Sequence, residues 1–131
     1  MVDLSRELYE ASRDGNAERA KEVVGLGADV NERGAGGATP LHMAAGFGHV
    51  DVAKALIDLG AEIETQASGG GRPLHWAAKN GHVAMAKFLI GLGADKEAES
   101  AAGQTPLHFA AAKGQADMVS CLLELGAETR F

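Results

Sequence analysis

Pro40-Leu41-His42, Pro73-Leu74-His75 and Pro106-Leu107-His108 are one phrase written three times, at a constant step of 33 residues. The glycines keep that step: Gly48, Gly81 and Gly114 follow the phrase, and Gly27, Gly60, Gly93 and Gly126 lie further on. A unit this short cannot bury its own apolar face, so a chain that repeats it stacks each copy on the next. The period predicts a solenoid before any side-chain chemistry is considered.

Within one copy the local signals are those of two short helices. Thr39 before Pro40 is a helix start: the hydroxyl oxygen accepts from an otherwise orphaned amide, and proline tolerates the first helical position because its missing N–H has no partner to lose. Thr105-Pro106 reads the same way. A first helix runs from Leu41 to about Phe47, with small Ala44 and Ala45 (Ala77 and Ala78, Ala110 and Ala111 in the other copies) allowing close approach to neighbours, and Gly48 ends it in the left-handed conformation. A second helix follows, its apolar face Val50, Val52, Ala53, Leu56 and Ile57, its wet face Asp51, Lys54 and Asp58, and Gly60 closes it. The stretches Glu64 to Gly71 and Glu97 to Gly103 lack helical periodicity and read as extended turns or hairpins leading into the next unit.

Taken together, Thr39-Pro40-Leu41-His42-Met43-Ala44-Ala45, then Gly48-His49 and Leu59-Gly60-Ala61, resembles the ankyrin repeat. The resemblance implies an all-α repeat solenoid of stacked helix-turn-helix units with projecting β-hairpin or turn loops. It spans nearly the whole chain as one domain, residues 1–131. Residues 34–66, 67–99 and 100–131 read as full units. Residues 4–33 read as a divergent first unit in which Ala11, Gly15, Gly27, Ala28, Asp29 and Asn31 hold register without the Pro-Leu-His phrase.

Three departures from the pattern stand out. Arg72 occupies the place of Thr39 and Thr105, so that helix loses its hydroxyl cap, an effect of ~0.5–2 kcal/mol; the site is either locally softer or committed to another contact. In the first unit Arg19 and Glu22 stand where Val52 and Ala55, then Met85 and Phe88, stand later, which makes that unit a polar cap. The last helix keeps Met118, Val119, Cys121, Leu122 and Leu123 with no such softening before Phe131, so that end reads as a cut through a longer array or as a face for self-association.

Composition narrows the function classes. The chain has 131 residues, 46% of them hydrophobic, enough for a continuous core. A net charge of −6 disfavours nucleic acid and anionic membrane surfaces. No apolar run reaches the ~20 residues of a membrane span, the start Met1-Val2-Asp3-Leu4 carries no signal-peptide pattern, and a lone Cys121 makes a reducing compartment the expectation, cytoplasmic or nuclear. His42, His75 and His108 fall one repeat apart, where helices sit ~8–10 Å from one another. Zinc holds nitrogens at about 2.0–2.1 Å, so the column cannot share an ion. His49 and His82 read as structural hydrogen-bonders, and Cys121 as core filler. Gly69-Gly70-Gly71-Arg72-Pro73 lacks the preceding strand and the Gly-Lys-Ser/Thr ending of a phosphate loop, and no calcium-loop ligand ladder is present. No enzyme, metal or cofactor is expected.

The resemblance implies contact positions for a protein or peptide partner at the loop tips and at the ends of the first helices. The helix ends are Arg13 and Asp14, Gly46 and Phe47, Lys79 and Asn80, Ala112 and Lys113. The tips are Arg33, Ala35, Gly36 and Ala38, then Gln66, Ser68, Gly69, Gly71 and Arg72, then Glu99, Ala101, Ala102 and Gln104. Phe47 is the outlier, an aromatic ring where Asp14, Asn80 and Lys113 stand elsewhere, and interface energy concentrates on such rings. Trp76 shares register with Met43 and Phe109 and reads as packing with an exposed edge, or as a contact residue. The leading expectation is a noncatalytic interaction module. The plain Ala and Gly tips keep an alternative open, an engineered scaffold without an evolved partner, and an enzyme or metal protein is the remote third.

Overall fold

The computed structural model describes residues 3–129; Met1 and Val2 of the start segment and Arg130 and Phe131 of the last unit lie outside the described residues. Eight α-helices follow one another: α1 (Leu4–Asp14), α2 (Ala17–Gly25), α3 (Pro40–Phe47), α4 (Val50–Asp58), α5 (Pro73–Lys79), α6 (Val83–Gly91), α7 (Pro106–Ala112) and α8 (Ala116–Glu124). Helices α1, α3, α5 and α7 pack in one row and α2, α4, α6 and α8 in a second, each pair joined by a tight turn.

The period of the sequence becomes columns in the core. Leu8, Leu41, Leu74 and Leu107 form one, each at most 2% exposed. Val23, Leu56, Leu89 and Leu122 form the other, all fully buried. Burying a side chain of this size stabilises by ~1.5–3 kcal/mol, so the columns are the main cohesive force of the stack. The first unit departs from its neighbours as expected: Arg19, in register with buried Val52, Met85 and Met118, pairs with Glu7 at 2.6 Å and also reaches Glu22.

Helix boundaries follow the local chemistry. The Thr39 hydroxyl accepts from the His42 amide (3.4 Å), and the Thr39 amide donates back to His42 Nδ1 (3.1 Å); Thr105 and His108 repeat the pair at 3.4 and 3.0 Å. Arg72 has no acceptor to offer, so at α5 only the returning bond survives, Arg72 N–H to His75 Nδ1 at 3.0 Å. The arginine is instead committed to an ion pair with Glu64 (2.9 Å), and its Nε is buried without a partner among the described residues. Gly48 ends α3 at φ +77°, where a Cβ would stand 2.5 Å from the His82 ring, so both conformation and space demand glycine.

The tips are turns, and the described residues contain no β-strand. Each closes on itself through main-chain bonds: Gly34 N–H to Ala38 O, Ala67 N–H to Gly71 O and Ser100 N–H to Gln104 O, all 2.8 Å, with Gly37, Gly70 and Gly103 N–H returning to Gly34, Ala67 and Ser100 O at 2.9–3.0 Å. The arms are too short to pair as strands. They bond instead to the neighbouring tip, Ser68 N–H to Gly36 O at 2.8 Å and Ala101 N–H to Gly69 O at 2.9 Å.

Candidate interaction surface

The histidines position the surface from beneath. His42 Nδ1 accepts from the Thr39 amide, so the proton sits on Nε2, which donates across the repeat boundary to Gly71 O at 2.9 Å. His75 Nε2 likewise donates to Ala98 O (2.9 Å) within its unit and to Gln104 O (3.0 Å) across the boundary. Burial holds both rings below the ordinary imidazole pKa, against the carbonyl bonds that pull it upward, which keeps them neutral and structural. His49 and His82 tie back to Arg13 O (2.8 Å) and Gly46 O (2.9 Å). Tyr9, in the histidine column of the first unit, donates its hydroxyl to Ala38 O (2.6 Å) and lies against Glu32 O. Among the described residues no group of three His, Cys, Asp or Glu is placed to hold a metal ion, and no helix is long and apolar enough to cross a membrane.

Between the first row of helices and the tips runs a trough; a cleft of about 550 Å³, lined by Arg6, Glu10, Arg13 and Arg33 among others, opens at its first-unit end, and two smaller ones lie along it. One, of about 210 Å³, is lined by Tyr9, Gly34, Ala35, Ala38 and Met43. The other, of about 340 Å³, lies between the second and third tips over Trp76 and Phe109. Each of these two clefts takes residues from both a helix and a tip, and of the expected helix-end positions Lys79 lines the second of them.

Individual positions differ in what they present. Ala35, Gly36, Gln66, Ser68, Gly69, Glu99, Ala101, Ala102 and Gln104 are exposed at the tips, and Gly71 is half-buried. Ala38 is buried at 5% exposure, and Gly46 is covered by Trp76 and by Asn80, whose side-chain amide donates to Gly46 O (2.8 Å). Ala38 shows a partner only the part of its methyl that lines the cleft of about 210 Å³, and Gly46 has no side chain to show, which corrects the place of Gly46 among the contact residues. Arg13 and Asp14 pair with each other at 2.8 Å, and Arg33 spans the gap between tips, donating to Gly37 O (3.1 Å), Thr65 Oγ1 (3.1 Å) and Gln66 O. Phe47 is 52% exposed at the end of α3, while Ala112 and Lys113 are open at the end of α7.

Trp76 resolves as half-buried. One side of the ring leans on His42 (centroids 4.8 Å apart, 55° between planes), and the Lys79 ammonium lies 5.5 Å from its centroid. Phe109 and Met43, read from the sequence as packing alone, are half-buried in the same trough. Their signal was present: each is the residue after the phrase histidine, and all three are large.

The last helix requires a correction. Met118, Cys121 and Leu122 point into the stack, at 0, 5 and 0% exposure, because α8 packs on α6 and α7. Only half-buried Val119 and Leu123, at 45%, remain at the end. The outward face is instead a shallow depression lined by Ala111, Gly114, Gln115, Ala116, Val119 and Ser120.

The ankyrin-repeat family model, described as ankyrin repeats in three copies, matches residues 8–100 and 69–130. The chain belongs to the ankyrin-repeat family. A comparison with curated proteins finds no match. Ankyrin repeats are in general protein–protein interaction modules, and the geometry above is that of an ankyrin stack: histidine-pinned helices, tips bonded to tips, and a trough between them.

Proposed function

We propose that this ankyrin stack is a noncatalytic binding module that holds a protein or peptide along the trough, in a reducing compartment such as the cytoplasm. The observation that carries the reading is Phe47, a ring left 52% exposed on a helix end whose backbone is fixed by the neighbouring repeat through the Asn80 and His82 bonds to Gly46 O. A rigid, solvent-facing aromatic costs little further ordering on binding, which is how a few residues come to dominate an interface. Buried, unpaired Cys121 suits a thiol-reducing environment. The test is photo-cross-linking with a benzophenone amino acid at position 47 and, separately, at position 54 on the outer row, in cell extract. Adducts at 47 that Phe47→Ala abolishes in the native capture support the module, whereas adducts only at 54, or at neither, refute it.

A second reading, self-association through the end face, is favoured by one observation. Ala111 is exposed there although its register mates Ala45 and Ala78 are fully buried under the following repeat. Two copies meeting at this face would restore that burial, and Ala111→Glu would then abolish a dimer seen by sedimentation. A monomer at all concentrations removes this reading.

A further inference from the structure

The trough is chemically uneven, and its second cleft has the properties of a binding pocket with a definite preference. Resting on the interaction reading above, we propose that the cleft between the second and third tips anchors an extended acidic peptide. An apolar side chain enters between Trp76 and Phe109, and a neighbouring carboxylate pairs with Lys79.

Shape comes first. The cleft, about 340 Å³, sits at the lower end of the ~300–1,000 Å³ typical of small-molecule sites and is open to solvent, which suits one side chain and a short run of backbone. Its rings are already in place. Trp76 leans on His42, and Phe109 stands edge-on to His75 (5.1 Å, 88°), while both histidines are tied to carbonyls of the next unit, Gly71 O and Gln104 O. A ligand therefore meets a surface that needs no reorganisation.

Polarity then selects the ligand. The indole N–H of Trp76 is a donor only, and it makes no hydrogen bond to a described residue. When a ligand displaces water from the cleft this donor must find an acceptor, and a main-chain carbonyl of a peptide supplies one. Ser68, Ser100 and Gln104 line the tip side and add hydrogen-bonding capacity there.

Charge fixes the sign. Lys79 makes no ion pair with a described residue, nor does Lys113 one repeat on, whereas Arg6, Arg13, Arg19 and Arg72 all face carboxylates. Lys79 is the one charged side chain among the residues lining the cleft, which on a chain of net charge −6 makes the cleft locally positive and complementary to an acidic segment. Stacked nucleobases would also fit between rings, but the overall charge repels a phosphate backbone.

Trp76 is the only tryptophan, so its emission and its single indole N–H resonance report on this cleft alone. The full chain is titrated with synthetic peptides in which Phe or Leu is flanked by Asp and Glu, with a charge-reversed Lys set, and with a single-stranded oligonucleotide. Expected are shifts of the indole resonance by acidic peptides only, and at least a tenfold loss of their affinity in the folded Lys79→Glu variant. An indole signal unmoved by the acidic set, equal binding of the Lys set, indifference to Lys79→Glu, or preference for the oligonucleotide each overturns the proposal. Acidic peptides that perturb amides around Phe47 but not Trp76 would overturn this cleft while leaving the binding module standing, and that module is judged separately by cross-linking at position 47.

Discussion

Replacing Arg72 with threonine should make the protein more stable. The backbone at Arg72 (φ −100°, ψ 166°) matches that at Thr39 (−96°, 168°), so threonine can enter without strain and take up the cap used at α3 and α7. The gain is the cap, ~1 kcal/mol, plus removal of the buried, unpartnered Nε, whose desolvation costs roughly 1–3 kcal/mol. Against this stands the Arg72 ion pair with Glu64 at 2.9 Å; its groups are 22 and 38% exposed, and such partly solvated pairs contribute ~0.2–1 kcal/mol. Glu64 keeps a second task, accepting from the Asp95 amide at 3.1 Å, so it is not stranded. The balance favours Arg72→Thr by about 1 kcal/mol or more, equivalent to a rise of ~3–6 °C in Tm for a domain of this size. Urea unfolding should show a higher midpoint with an unchanged slope. A midpoint equal to or below that of the parent would mean that the ion pair outweighs the cap, and the reasoning about α5 would be wrong.

Stability should fall on acidification from pH 7.5 to 5.5. Unfolded imidazoles take up protons near pH 6.5, while burial holds His42 and His75 below that value in the fold, so the unfolded state binds more protons and gains as pH drops. The loss begins near pH 6.5 and approaches at most about 1.4 kcal/mol per pH unit for each ring; a flat denaturation profile across this window refutes their neutral role. Gly48→Ala should cost ~2 kcal/mol or more, because φ +77° is strained for alanine and the His82 ring stands 2.5 Å from the added carbon. Gly36→Ala, at φ +69° in open space, should cost only about 1 kcal/mol, and equal losses in thermal melts would contradict the packing argument. Phe47→Ala should leave Tm within a few degrees, its ring being half exposed, while removing partner capture.

What the sequence disclosed and what it withheld divide along physical lines. The columns Leu8 to Leu107 and Val23 to Leu122 follow from the step of 33 residues, since a strict period forces equivalent positions into equivalent burial. The polar first unit was readable because Arg19 and Glu22 break that period. Burial at the last helix was misread because apolar spacing identifies a face but not the neighbour it meets; Met118 and Leu122 face inward, and the open face belongs to Ala111 and Val119. The trough was half visible. Its tip and helix-end positions came from register, but the half-burial of Met43, Trp76 and Phe109 depends on how far each tip leans over its helix, and that is decided by main-chain bonds with no side-chain signature.

Those main-chain bonds between tips also divide the surface into fixed and free letters. Gly37 and Gly70, where an added carbon would sit 2.9 Å from Ser68 N and 2.6 Å from Ala101 N, are spacers that the adjoining turn requires. Ala35 and Ala102 point to solvent beside them and carry none of the alignment in their side chains. Recognition can therefore be rewritten at these sites by ordinary mutation, with the scaffold indifferent to the new text as long as the two spacers are kept.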